Sequence, residues 1–195
     1  MANYNEIQVK CPSCGQQHRV RIYPSINVSE TPELREKVCS GEVFTAECPH
    51  CGHRQILKYD MLYHDPEAKV LVCLTDSVFH SDGMEGYNCR LVSDVGSLME
   101  KVKIFTAGLD DLVVELCKYV TIREMGKDVS LRFLRMDGAD QSIIMAYPQN
   151  GQMEMLEIGF NVYEDCAGIV NRNPALRDAA GGLVTLDQNW IGRFF

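Results

Sequence analysis

The 195-residue chain lacks several features that would place it in a function class at once. It has no apolar run near the roughly 18–20 residues needed to cross a bilayer. Its first residues, Met-Ala-Asn-Tyr-Asn-Glu, are neither basic nor apolar, so no signal peptide is expected. Positive charge is scarce, with 19 Lys and Arg against 27 Asp and Glu. A protein that neutralises nucleic-acid phosphates needs a basic patch, and none stands out, so nucleic-acid binding is not expected. Glycine is present, but no glycine motif of the kind that cradles phosphate. There is a single tryptophan, Trp190.

Cysteine, by contrast, is abundant. Nine cysteines in a chain without an export signal suit a reducing cytoplasm, where thiols stay reduced or bind metal. Four of them form a pattern. Cys11-Pro12-Ser13-Cys14-Gly15 is answered by Cys48-Pro49-His50-Cys51-Gly52, with 33 residues between Cys14 and Cys48. Two C-x-x-C pairs are the sequence form of a four-thiolate zinc site, because zinc takes four soft ligands in a tetrahedron. Pro12 and Pro49 preset the turn inside each pair, and Gly15 and Gly52 allow the left-handed reversal after it. Cys11, Cys14, Cys48 and Cys51 are therefore the expected ligands of one structural zinc. The rival reading of Cys-Pro-His-Cys is a redox dithiol, but such motifs open a helix, whereas a strand-like run follows Cys51. His18, His50 and His53 flank the pairs. Four cysteines already saturate the site, so these imidazoles are expected to be exposed or beside it, not ligands.

The other cysteines, Cys39, Cys73, Cys89, Cys117 and Cys166, occur singly, and most read as small buried hydrophobes. Cys89, in a polar context, is the expected exposed thiol. Charge is uneven: residues 1–60 are neutral, and the remainder carries the whole net −8. Arg19, Arg21 and Arg54 lie near the knuckles and read as the solvated face of strands.

Along the chain, residues 18–23 alternate with Val20 and Ile22 on one face. Thr31-Pro32-Glu33 is a helix start, with the Thr31 hydroxyl as cap, and Gly41 is its stop. Strands are expected at residues 43–47, 53–59 and 70–74. His64 beside Asp65 invites an acid–base reading, with His80 as a third group, but Pro66 marks a turn. Residues 75–91 read as loop or linker. Two helical stripes follow: Val95, Leu98, Met99, Val102 and Phe105, then Leu109, Leu112, Val113, Leu116 and Val120. Asp110 and Asp111 read as helix-capping carboxylates. Strands at 129–136, 142–147 and 153–160 are separated by the hairpin signals Asp137-Gly138 and Asn150-Gly151. A helix is expected over 161–173, and Trp190 anchors a last turn capped by Asp187.

The fold class that follows is α+β: an N-terminal interrupted zinc-ribbon-like β module with a short inserted helix, then a helical hairpin and an antiparallel β meander. The expected domains are 1–75, a linker at 76–91, and 92–195.

The paired Cys-Pro-x-Cys motifs resemble the bacterial CpXC family. So do Ile26-Asn27-Val28, Thr31-Pro32-Glu33-Leu34, Gly41-Glu42-Val43-Phe44, Tyr63-His64-Asp65-Pro66, and the stretch from Glu100 to Asp111. The resemblance implies a shared metal site and supplies no reaction. The function expected is a zinc-binding cytoplasmic interaction or scaffold module, with another protein as partner and no membrane. A thiol-based redox sensor is the alternative, an enzyme using residues 61–91 the second, and no catalytic residue is assigned.

Overall fold

A computed structural model describes residues 4–77, 84–138 and 141–195 of a mixed α+β chain. It divides into two compact units, Met1–Met99 and Glu100–Phe195.

The first unit opens with two small hairpins separated by a helix. β1 (Asn5–Lys10) pairs antiparallel with β2 (Gln17–Ile22), and β4 (Thr45–Glu47) pairs antiparallel with β5 (Arg54–Ile56). Between them lie β3 (Ser25–Asn27) and α1 (Glu33–Ser40). The helix stops where the sequence puts glycine: Gly41 takes φ 80°, and its N–H closes on the Val38 carbonyl. The Thr31 hydroxyl does not cap this helix. It donates to the Asn27 carbonyl at 3.0 Å and so holds the turn that precedes the helix. Residues 42–44 are a 3-10 turn, so the strand expected at 43–47 is shortened to Thr45–Glu47.

Four longer-range strands follow the order β8-β7-β6-β3, with β6 (Met61–Asp65), β7 (Val70–Leu74) and β8 (Asn88–Val92). β6 and β7 are antiparallel, whereas β3–β6 and β7–β8 are parallel. β7 is buried along its whole length, which is why Val-Leu-Val-Cys-Leu is continuously apolar. The linker expected at 76–91 is corrected at its end, because residues 88–91 are strand. Parallel neighbours need a connection of about a dozen residues, and the turn-rich stretch supplies it.

In the second unit, α3 (Asp111–Met125) is buried on every side over residues 111–118. α2 (Val95–Thr106), of which Glu100 onward belongs here, precedes it. β9 (Arg132–Asp137), β10 (Ser142–Gln149) and β11 (Gln152–Gly159) form the expected antiparallel meander in the order β11-β10-β9. Asn150 and Gly151 both take positive φ, 53° and 77°, as a two-residue hairpin turn requires. α4 (Phe160–Asn171), α5 (Pro174–Ala179), β12 (Gly182–Val184) and α6 (Gln188–Ile191) complete the chain. Asp187 caps α6 through the Trp190 N–H, and Trp190 joins a core built on Leu112, Leu116, Phe133 and Met145.

Candidate metal centre

Each C-x-x-C pair folds into the same tight knuckle. The Gly15 N–H donates to the Cys11 carbonyl at 2.9 Å, and the Gly52 N–H to the Cys48 carbonyl at 2.8 Å. The Cys11 N–H reaches the Gln16 carbonyl and the Cys48 N–H the His53 carbonyl, both at 2.9 Å. Gly15 and Gly52 sit at φ 73° and 70°, so the turn that presents both sulfurs depends on glycine at these positions.

The hairpins bring the two knuckles together. The Cys11 and Cys51 sulfurs are 3.6 Å apart, as are those of Cys14 and Cys48, and all four lie within 4.8 Å of one another. A tetrahedron with sulfur about 2.3 Å from its centre has edges of about 3.8 Å. The quartet therefore fits a four-coordinate metal ion, which these residues could hold. Cys11 and Cys48 are buried, and Cys14 and Cys51 reach the surface.

The thiols share their protons unequally. The Cys14 backbone N–H, aided by that of Ser13 and by the Cys51 and Cys14 thiols, outweighs burial and lowers Cys11 to about 6. Cys14 receives the Gln16 N–H, but burial and the three neighbouring sulfurs prevail and push it up to about 12. Thiolate is thus favoured at Cys11, where the Cys14 and Ser13 backbone donors converge.

The flanking histidines divide. His50 and His53 are exposed, as expected, but His18 is 9% exposed with both ring nitrogens buried and without a partner among the described residues. The strand period explains the difference: His18 shares parity with Val20 and Ile22, so it points inward with them.

Residues 61–91 do not assemble a catalytic group among the described residues. Asp65 is buried, binds Arg35 at 2.8 Å and accepts the Ala68 N–H, so it ties β6 to α1. His64 points to the opposite face of β6 and lies 3.5 Å from the Tyr87 hydroxyl. His80 lies outside the described residues. Cys89, expected to be exposed, is 1% exposed, because it lies in β8, where Arg90 and Val92 are buried as well. Asp110 caps α3 through the Leu112 N–H, but Asp111 is buried and bound to Lys101 at 3.0 Å.

Two arrangements were not legible in the chain. Cys117 of α3 and Cys166 of α4 meet thiol to thiol, which raises the first and lowers the second. In the same unit Lys101, Lys118, Glu100, Asp111 and Glu115 form a buried ion cluster, each no more than 7% exposed. Charged residues at helical spacing read as a solvent face, and only the tertiary fold reveals that two such faces meet.

No helix among the described residues is long and apolar enough to cross a membrane. No curated protein and no solved structure matches the chain. The family model described as CpXC protein matches residues 9–118, which take in both knuckles and everything between them, and the chain belongs to that family.

Proposed function

We propose that Cys11, Cys14, Cys48 and Cys51 hold one structural zinc ion in an interrupted zinc ribbon, and that the protein works in the cytoplasm as a protein-interaction module. The observation that carries this reading is the thiol quartet, with sulfur separations of 3.6 Å between two knuckles of the same form. Four thiolates close the coordination sphere and leave no position for substrate, so the metal supplies folding energy and no Lewis-acid step. The two hairpins are small, with strands of three residues in β4 and β5, and bury little apolar surface of their own. A structural zinc contributes on the order of 10 kcal/mol to such modules. The enzyme reading of residues 61–91 is not carried forward, since Asp65 is committed to Arg35 and His64 faces the other way.

Native mass spectrometry with circular dichroism tests the proposal. One zinc per chain is expected, with loss of the knuckle hairpins when a strong chelator removes it. A metal-free protein with the hairpins intact would sink it.

A redox-sensor reading is favoured by one observation, the surface exposure of Cys14 and Cys51. In it hydrogen peroxide takes two electrons from each thiolate pair and, with two protons from solvent, gives a disulfide and two waters, and zinc is released. Zinc retained and all four thiols still titratable after mild peroxide would remove that reading.

A further inference from the structure

The two knuckle hairpins leave a gap between them. Among the described residues β2 pairs only with β1, and β4 only with β5, so each has a free edge there. A groove of ≈ 400 Å³ runs between these edges, lined by Arg19, Arg21, Lys37, Glu42, Thr45 and Glu47.

The direction of the backbone groups can be worked out. In an antiparallel pair, residues that exchange hydrogen bonds alternate with residues that do not. The Cys11 N–H bonds Gln16, so two residues along Val9 exchanges with His18 and then Ile7 with Val20. The N–H and C=O of Arg19 and Arg21 therefore point away from β1, into the groove. On the other side the Cys48–His53 and Leu57–Phe44 bonds set the parity, and Ala46 exchanges with Gln55. This turns the Glu47 N–H and C=O, and the Thr45 carbonyl, into the same groove; the Thr45 N–H is already used by Glu42. Tyr59 closes one end. Its hydroxyl accepts the Tyr23 N–H at 3.4 Å and donates to the Val43 carbonyl at 2.8 Å.

The charges select the occupant. Glu42 is neutralised by Lys37 and Glu47 by Arg54, both at 2.8 Å. Among the described residues Arg19 has a single carboxylate partner, Glu6 at 3.7 Å, with 74% of its side chain exposed, and Arg21 lies 4.0 Å over the Tyr4 ring and beside the Tyr23 hydroxyl, partners that carry no carboxylate. In a chain of net charge −8, the β2 edge thus offers two arginines at i and i+2 on one face. A strand added there meets them with alternate side chains, while the residue between faces the side of Val20.

We propose that this groove binds an extended segment of a partner protein with acidic side chains at alternate positions, added as a strand between β2 and β4. The proposal deepens the interaction-module reading and rests on it, since the metal centre ties the two hairpins that frame the groove. Main-chain hydrogen bonds supply affinity, and the two arginine–carboxylate pairs supply selectivity.

The probe is a blocked peptide alternating glutamate and valine, titrated into full-length protein and followed by backbone amide NMR, with zinc content measured on the same sample. Saturable shifts at the amides of Arg19, Arg21 and Glu47 are expected. The double variant R19E/R21E should bind about tenfold more weakly, since two cross-strand pairs become repulsive. A lysine–valine peptide should not bind. Equal binding by a backbone N-methylated peptide would mean charge attraction alone and would overturn strand addition. No shift with zinc bound overturns the groove and spares the metal; peptide binding by a folded, zinc-free protein does the reverse. If the same amides shift with protein concentration and exclude the peptide, a second copy fills the groove, and the proposal fails.

Discussion

His18 shows what one position adds to a pattern. In sequence it is the fourth residue past Cys14, which makes it look like part of the metal chemistry. Its parity with Val20 and Ile22 places it instead in the interior of the hairpin, where neither ring nitrogen has a partner among the described residues. A buried polar group without a hydrogen bond costs about 1–3 kcal/mol. His18→Leu is therefore expected to leave stability unchanged or raise it by about 1–2 kcal/mol, with metal stoichiometry unaltered. Thermal melting and metal analysis of the variant check this; a loss of metal would return the imidazole to the site. The cysteines were readable because their spacing alone encodes the knuckle turn. Burial of His18 was also encoded, in the alternation of β2, but a polar residue at an inward position gives no apolar signal. Cys89 was hidden for another reason: its polar neighbour Arg90 is itself buried in β8, so a polar context did not mean exposure there.

At the scale of elements, boundaries set by backbone conformation were the most legible. Gly41, the stop read from the sequence, ends α1 with φ 80°, and Gly126, which that reading did not single out, ends α3 with φ 62°. The two stops look equivalent in sequence and differ in surroundings. A Cβ added at Gly41 would stand 3.1 Å from the Met99 side-chain carbon, whereas one at Gly126 would meet nothing within 4 Å. Both substitutions place a side chain in the left-handed region, at a cost of about 1–2 kcal/mol. Gly41→Ala should exceed Gly126→Ala by the strain of moving Met99, up to about 1 kcal/mol more. Denaturant unfolding of the two variants measures the difference, and equal losses would mean that the Met99 thioether simply swings away. What the sequence did not disclose at this scale was pairing: nothing local distinguishes the parallel β7–β8 neighbour from a loop with a strand at its end. The helical stripes of α2 and α3 were correct as far as they went. They omitted the polar faces, which is where the two helices hold each other.

Those faces set the behaviour of the chain as a whole towards pH. Lys118 binds Glu115 at 2.8 Å and Glu100 at 3.0 Å, Lys101 binds Asp111 at 3.0 Å and Glu115 at 3.1 Å, and Arg132 stands 3.7 Å from Glu100. Glu100 also accepts the Phe133 N–H at 2.7 Å, and Glu115 the Gln188 amide at 2.9 Å, so the cluster reaches from the helices to β9 and α6. Burial alone would raise Glu115, but Lys101, Lys118 and the Gln188 amide overcome it and hold the carboxyl below its ordinary 4.5. Burial would lower Lys118, and the carboxylates of Glu115 and Glu100 hold it above its ordinary 10.5. The signs are opposite. Glu115 contributes stability that is complete above pH 4.5 and lost as pH falls through its lowered value. Lys118 contributes stability that is complete below pH 10.5 and lost as pH rises through its raised value. The contribution of this cluster should therefore be level between these limits and fall away on both sides. Lys118→Met leaves Glu100 and Glu115 short of a cation in a buried site and should cost about 3–5 kcal/mol at neutral pH. Adding Glu115→Leu removes one of the stranded carboxylates, so the double variant should be less destabilised than the sum of the singles, by about 1–3 kcal/mol. A thermodynamic cycle at pH 7, repeated in steps of falling pH below 4.5 while the fold persists, measures the coupling. It should shrink in acid as Glu115 takes up its proton, and a coupling that keeps its full size there would mean that packing of the side-chain stems, and not charge, joins the two helices.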